Sequence, residues 1–342
     1  MKPLYVLNDL HLSAIRTGGT TPTTALQLRQ ALQEGFKRML NLCDSDVLIN
    51  GDFADSYKMI AADILEAHRT ISEWLRRGHT LYALPGNHCL SKSSMDLSSF
   101  ELLFQLLKAE YPEQVKLMME AGHVRDGMYA IPHVANSELF ELELAKAPES
   151  SYLFVHCNYD NHFAEKADHS LNLSEEWAKK LPVQRIVFGH EHQSRTLLDG
   201  KVLIVGNQQP SSVSDCLGNE AKFMLKISDA GTEQVQTWQA SGDFSRQNWR
   251  TLADDGSRFI RVEGRASAEE AGEAVSAISK FRAKSSALVI TNAVQIAGME
   301  DSDQIEVSLE QIRGFSVFDA LLECLTEAEG EKLKALRREN NV

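Results

Sequence analysis

Five short motifs along the chain carry histidine, aspartate and asparagine, whose side chains bind divalent metals. The motifs are Asp9-Leu-His11, Gly51-Asp52-Phe-Ala-Asp55, Gly86-Asn87-His88, Val155-His156-Cys-Asn158 and Gly189-His190-Glu-His192. Carboxylate and amide oxygens combined with imidazole nitrogens suit manganese, iron or zinc better than calcium. One such motif arises easily by chance, but all five in order, each after an apolar run, predict a functional site.

The predicted ligands divide between two metals held about 4 Å apart. The expected ligands are Asp9, His11 and His192 for one metal, Asn87, His156 and His190 for the other, and Asp52 for both. A carboxylate can bridge because it has two oxygens. Two metals this close acidify a shared water, and the resulting hydroxide most often attacks phosphoesters. Manganese is the expected metal, with iron, zinc and magnesium as alternatives.

Three further residues are candidates for contact with the substrate. His88 directly follows a predicted ligand, and adjacent residues of an extended loop rarely bind one metal, so we expect His88 to protonate the leaving oxygen. Asp55 and His162 are predicted substrate-binding residues. For Asp55, capping a helix or orienting a ligand are equally open roles. The histidines outside the motifs, at 68, 79, 123 and 133, are predicted to lie on the surface or in loops.

The motifs follow short apolar runs that predict buried strands. These runs are 5–7, 47–49, 81–84, 152–155 and 186–188. Helical spacing of apolar residues covers 25–42 and 59–77 between them. Alternation of strands and helices predicts an α/β fold with a mostly parallel sheet. Sites in such sheets lie beyond the carboxyl ends of the strands, where the motifs fall.

The pattern changes after His192. Apolar runs at 202–205, 222–227 and 233–238 predict consecutive strands of a second sheet that closes a sandwich. A polar, turn-rich stretch at 241–257 predicts a boundary. Beyond it, 258–262, 268–281 and 286–291 predict a strand-helix-strand unit. Residues 317–338 predict a final amphipathic helix, with Ser316 as its cap.

Composition narrows the classes of function. The formal net charge of −13 argues against a broad basic surface for nucleic acid. Five scattered cysteines without a CxxC pair predict reduced thiols. Because no apolar run is long enough to span a bilayer and no signal peptide precedes the first strand, we expect no membrane association and a cytoplasmic location.

The ordered motifs resemble those of the calcineurin-like metallophosphoesterase superfamily. Within it, the chain is most similar to SbcD-type nucleases and their phage recombination relatives, on the strength of Asn8-Asp-Leu-His-Leu12, of Asp55, and of the unit at 258–291. The resemblance implies a four-layer α/β sandwich of two sheets flanked by helices. Its expected divisions are a nuclease domain at 1–240, a small α+β capping domain at 255–305 and a C-terminal helical partner-binding segment at 310–342.

Two residues depart from the family pattern, Asn8 in place of serine and Cys89 in place of an acid. The Cys89 departure implies that any acid orienting His88 comes from elsewhere in the chain.

The resemblance implies a manganese-dependent DNA nuclease working in repair, recombination or replication. The expected partners are DNA and an SbcC-like coiled-coil ATPase, and a homodimer is a further expectation. The alternative is a stand-alone metallophosphoesterase acting on nucleotides or phosphoproteins, which the acidic net charge favours.

Overall fold

The structure is a computed structural model that describes residues 2–16, 19–91, 96–134, 136–161, 170–218 and 220–297. Its helices are α1 (Pro22–Leu42), α2 (Ala61–Leu75), α3 (Ser99–Glu110), α4 (Ser137–Lys146), α5 (Glu175–Lys180) and α6 (Ala271–Arg282). The predicted helices at 25–42 and 59–77 are therefore present as α1 and α2. Capping boxes begin α1 at Thr21 and α3 at Ser98, where each side chain accepts a main-chain N–H of the first turn.

The first six-stranded sheet has the order β14-β13-β1-β2-β3-β4. Its strands are β1 (Leu4–Leu7), β2 (Asp46–Asn50), β3 (Leu81–Leu84), β4 (Val115–Leu117), β13 (Ala221–Ser228) and β14 (Gly231–Gln239). Strands β1, β2, β3 and β4 are parallel to one another, and β13 pairs antiparallel with β1.

The second six-stranded sheet has the order β11-β12-β10-β7-β6-β5. Its strands are β5 (Gly122–Arg125), β6 (Met128–Ile131), β7 (Ser150–His156), β10 (Val183–Gly189), β11 (Arg195–Leu197) and β12 (Val202–Ile204). Strands β6, β7, β10 and β12 are parallel, with antiparallel strands at both edges. A short parallel pair, β8 (Asn158–Tyr159) and β9 (Asn172–Leu173), extends beyond β7.

Successive side chains of the central strands pack on opposite faces of the sheet, so the molecule is built in layers. In β1, Leu4 and Val6 join Phe154 and Val187 of the second sheet in one buried cluster. Tyr5 and Leu7 instead pack in the cluster that contains α1, α2 and α3, and a third cluster holds α4 and α5 against the second sheet. Strands buried on both faces read as continuous apolar runs. The predicted four-layer α/β sandwich is thus confirmed.

The assignment of the strands after His192 to one second sheet was wrong. Strand β12 does join the second sheet, but β13 and β14 extend the first sheet beside β1. The second sheet is instead built around β7 and β10, two strands predicted as part of a single parallel sheet. Period-two patterning shows which residues are buried but not which strand becomes the neighbour.

The segment 241–257, predicted as a boundary, contains strand β15 (Phe244–Asn248). It pairs parallel with β16 (Phe259–Glu263), which pairs parallel with β18 (Val289–Asn292), so the predicted strand-helix-strand unit is present as β16, α6 and β18. Phe259, Leu288 and Val289 pack in the same cluster as α1.

The chain divides into two compact units. Among the described residues, one unit comprises those within 2–264 and 272–294, and the other comprises 265–271 and 295–297. In the second unit, β17 (Arg265–Ala266) pairs parallel with β19 (Gln295–Ile296). The predicted C-terminal helix at 317–338 lies outside the described residues. Within the described ranges, none of the helices has the length and apolar character needed to cross a membrane.

Candidate metal centre

All five motifs reach one end of the sandwich because each follows or ends a parallel strand. Asp9, Asp52 and Asn87 come after β1, β2 and β3 of the first sheet, whereas His156 ends β7 and His190 follows β10 of the second. Carboxyl ends of parallel strands meet at a single edge. Residues from both sheets therefore converge at the seam between them.

The first half-site consists of Asp9, His11 and His192, whose potential ligand atoms all lie within 4.8 Å of one another. The Nε2 atoms of His11 and His192 face each other at 3.0 Å. Asp9 is buried and accepts the main-chain N–H of His190 at 3.0 and 3.1 Å from its two oxygens. The structure thus brings together the three predicted ligands of one metal.

The second half-site consists of Asp52, Asn87, His156 and His190. Asp52, His156 and His190 also offer ligand atoms within 4.8 Å of one another. Asn87 Oδ1 lies 3.2 Å from His156 Nε2 and 3.1 Å from His190 Nδ1, and Asp52 Oδ2 lies 3.2 Å from the same Nε2. The predicted partners of the other metal are therefore adjacent, while the bridging role of Asp52 stays a prediction.

Backbone geometry at the site is unusual and depends on glycine. Asp9, His11, Asp52 and His190 have positive φ values of 52°, 46°, 40° and 85°. Such strain in non-glycine residues concentrates at functional sites. A Cβ on Gly51 would lie 1.9 Å from His156 Nδ1. The glycine of this motif is needed because the His156 ring packs directly on the main chain.

Opposite charges in the metal-free site shift the pKa values of its buried groups. Burial opposes ionisation of Asp52, but His156 above all, with His11 and His88, lowers the pKa of Asp52 well below its usual range. Burial likewise disfavours the charged form of His156, yet Asp52 raises the pKa of His156 to about 9. Burial raises the pKa of Asp9. The site thus holds a buried carboxylate–imidazolium pair.

The donor set fits two divalent cations. His192 Nδ1 lies 2.7 Å from Asp215 Oδ1, and His156 Nδ1 lies 3.0 Å from Asn50 O. In the neutral rings that bind a metal, these acceptors favour a proton on Nδ1, which leaves the Nε2 lone pairs directed into the site. The Nε2 atoms of His11 and His192 lie 3.0 Å apart, so a single cation could be bound by both.

Comparison with known proteins identifies the family. Residues 2–194, a span that includes all five motifs, match the calcineurin-like phosphoesterases (Metallophos). The chain belongs to this family. It is therefore a metal-dependent phosphoesterase. No curated protein matches the sequence.

The solved structures that match this phosphoesterase include two at low identity. TT1561 of Thermus thermophilus is 12% identical with a TM-score of 0.41, and the match covers 69% of this chain and 99% of that one. A cold-active protein-tyrosine phosphatase of a psychrophilic Shewanella species is 14% identical with a TM-score of 0.33, over 69% of this chain and 81% of the other.

His88 of the phosphoesterase lies at the exposed side of the second half-site. Its side chain is 43% exposed, and its Nε2 lies 4.0 Å from Asp52 Oδ2. Its Nδ1 lies 2.7 Å from the main-chain oxygen of Asp55. The group that orients His88 Nδ1 is therefore a main-chain carbonyl. Cys89 itself is buried.

Asp55 was a predicted substrate-binding residue, but both of its carboxylate oxygens contact Arg16, at 3.0 and 2.8 Å. Its Oδ1 also lies 3.3 Å from His11 Nδ1. The structure thus supports the alternative role of orienting a ligand. His162, the other predicted substrate-binding residue, lies outside the described residues.

Sequence patterns missed several residues of the phosphoesterase site. Asp215 and Asn50 orient histidines but belong to none of the five motifs, and Asp215 also lies beyond the span matched to the family. His133 lies in a loop, as expected. Burial, with the nearby charge of His156, lowers the pKa of His133 to about 4, so it lies beside the site. Its position two residues after β6, at the same sheet edge, is the signal that would have found it.

Proposed function

We propose that this phosphoesterase hydrolyses phosphodiester bonds with two divalent cations, Mn²⁺ foremost, bound at the two half-sites. The observation that carries the proposal is the pair of adjacent ligand groups, Asp9–His11–His192 and Asp52–His156–His190. When bound, two such cations supply Lewis-acid activation of water and neutralise charge on the phosphate.

The chain's own residues then position the substrate and move the proton. A protonated His88 donates through Nδ1 to the Asp55 carbonyl and keeps its Nε2 proton for the leaving oxygen. Its exposed position suits contact with a substrate that approaches from solvent. Asp52 holds the loop of His88 in place by accepting its main-chain N–H at 3.0 Å.

DNA is the proposed substrate, in a nuclease of the SbcD type that works in repair, recombination or replication. Support comes from the motif resemblance and from the strand-helix-strand unit of β16, α6 and β18 beyond the sandwich. The alternative is a stand-alone phosphoesterase acting on nucleotides or phosphoproteins, and the net charge of −13 favours it. An SbcC-like ATPase and a second copy of the chain are the proposed protein partners.

A substrate comparison tests the proposal. The purified protein is incubated with Mn²⁺ and either end-labelled linear DNA or a chromogenic aryl phosphodiester. Asp52→Ala, purified in parallel, controls for contaminating nucleases and should bind at most one metal and lose hydrolysis of both substrates. We expect cleavage of both by the wild-type chain. Cleavage of the aryl ester alone would favour the stand-alone phosphoesterase. Failure on both, with two metals bound, would overturn the proposed activity.

A further inference from the structure

Arg16 lies in the loop after the first motif and contacts two residues from different parts of the chain. Its Nη1 and Nη2 donate to the two carboxylate oxygens of Asp55 at 3.0 and 2.8 Å. Its Nη2 and Nε donate to Ser211 Oγ and to Ser211 O at 2.9 and 3.4 Å. The planar guanidinium thereby joins the loop after β2 to the loop between β12 and β13.

Each of these two contacts leads to a histidine of the first half-site. Asp55 Oδ1 lies 3.3 Å from His11 Nδ1, a close approach of the carboxylate to the ring that is not aligned as a hydrogen bond. Ser211 donates its N–H and Oγ to Asp215 Oδ2 at 2.8 and 3.1 Å, and Asp215 Oδ1 lies 2.7 Å from His192 Nδ1. The two histidines then meet at 3.0 Å through their Nε2 atoms. The contacts form a closed ring with Arg16 opposite the metal ligands.

We propose that Arg16 is a positioning residue that sets the metal affinity of the first half-site. By holding Asp55 and Ser211 at a fixed separation, it fixes the two carboxylates that orient His11 and His192. Because the main-chain oxygen of Asp55 also holds His88, the same guanidinium fixes the proton donor relative to the metals. This inference rests on the proposed two-metal function.

Arg16 is suited to positioning and not to binding the substrate phosphate. A guanidinium has five N–H donors, and four of those of Arg16 are directed at Asp55 and Ser211. Its side chain is 27% exposed. A positioning role predicts a lower kcat with an unchanged KM at saturating metal, whereas a phosphate contact predicts a higher KM.

The test is Arg16→Lys, which keeps the positive charge but loses the planar fork. Calorimetric titration of the metal-free protein with Mn²⁺ measures both binding steps without any activity assay. We expect one step, the same one that Asp9→Asn abolishes, to weaken by about 10- to 100-fold, the usual effect of removing an orienting partner of a ligand. The other step should stay unchanged.

Arg258→Lys is the matched control. Arg258 makes the same kind of bidentate contact with a carboxylate, that of Asp243, and its side chain is similarly exposed, at 37%. Within the described part of the chain its hydrogen bonds reach none of the motif residues, so its replacement should leave both Mn²⁺ steps unchanged.

Ser211→Ala breaks the ring at another point. Combined with Arg16→Lys it should weaken Mn²⁺ binding little more than either change alone, because both interrupt one chain of contacts.

The outcomes separate this inference from the proposed function. If the wild-type chain binds fewer than two Mn²⁺, the two-metal function itself fails. If it binds two, and a folded Arg16→Lys binds both with wild-type affinity, the positioning role is overturned while the function stands. A variant with normal Mn²⁺ binding and a raised KM would also overturn it, in favour of phosphate contact. Equal weakening in Arg258→Lys would show a general loss of stability instead.

Discussion

His88 differs from the histidines of the two half-sites in exposure and in the group that holds it. It is exposed, whereas His11 and His156 are buried and His190 and His192 are intermediate. A main-chain carbonyl fixes its Nδ1, and its Nε2 remains on the side of Asp52. A residue so placed can transfer a proton without binding a metal.

Replacing His88 with alanine should leave two metals bound and lower kcat by about 10²- to 10⁴-fold, the usual scale for loss of a general acid. The loss should be largest for diesters with poorly acidic leaving groups, which need protonation most. Elemental analysis and rates on a series of aryl diesters measure this. His68→Ala, remote on α2 and paired with Glu110, is the control. A missing metal would show that His88 is a ligand, and an equal loss for every leaving group would exclude proton donation.

The carboxylate–imidazolium pair makes metal binding depend on pH. The pKa of His156 is raised from 6.5 to about 9 by Asp52 in the metal-free site, so His156 is protonated at neutral pH. A metal needs the neutral ring. Binding at pH 7.5 should therefore release about one proton, and affinity should rise up to about pH 9. Titrations in two buffers of different ionisation enthalpy measure the proton, and none released would contradict the assignment.

The same pair gives the metal-free protein a pH-dependent stability. Because the folded-state pKa of His156 lies above its unfolded value, its contribution is fully present below about 6.5 and is lost as the pH rises through about 9. The melting temperature of the metal-free protein should fall over that window. His156→Asn, which does not titrate there, should show a flatter dependence.

At the level of the elements, the turn after β2 must bring the main chain against His156. Gly51 and Gly78 share a φ of 89°, but a Cβ on Gly51 would lie 1.9 Å from His156 Nδ1, whereas one on Gly78 would meet nothing within 4 Å. Gly78→Ala should lower the free energy of unfolding by about 1–2 kcal/mol, because alanine is strained in the left-handed backbone conformation. Gly51→Ala should cost about 1–3 kcal/mol more for overpacking, and should weaken Mn²⁺ binding. Urea unfolding of the metal-free proteins compares them, and equal losses would contradict the contact.

Local pattern was enough to find the elements that carry the ligands. Strands β1, β2, β3, β7 and β10 lie within two or three residues of the predicted runs. They were recognisable because strands covered on both faces are apolar throughout. Helix α1 was recognisable from one apolar face containing Leu28, Leu32 and Phe36, all buried.

Local sequence patterns could not predict which distant segments of the chain pair with each other. Strand β13 pairs with β1 across more than 200 residues, through Leu4 and Ile227. Asp215 reaches His192 from a short turn that has no periodicity of its own. Arg16 is one charged residue in a polar loop, and only the folded chain places Asp55 and Ser211 on either side of it. Side-chain contacts of this kind follow from tertiary structure.

For the molecule as a whole, the proposed ATPase partner can be tested by truncation. Residues 314–342, which lie outside the described ranges, contain an apolar cluster at 317–325 followed by charges. If this segment binds the ATPase as an amphipathic helix, its deletion should leave Mn²⁺-dependent cleavage of single-stranded DNA intact and abolish co-purification with an SbcC-like partner. A folded deletion that still binds the ATPase would exclude this role. A deletion that unfolds would show that the segment packs on its own chain.

Convergence of both sheets on one seam has a consequence for the order in which the protein is assembled. Each half-site takes ligands from both sheets, and His11 and His192 are 181 residues apart in the chain. A nascent chain that has not yet emerged as far as His192 contains neither complete set, and β1 still lacks its neighbour β13. Metal capture by both half-sites therefore follows the synthesis of His192 and the long-range pairings that bring the two sheets together. Bound metal then reports that synthesis has passed the last ligand and that both sheets have closed on each other.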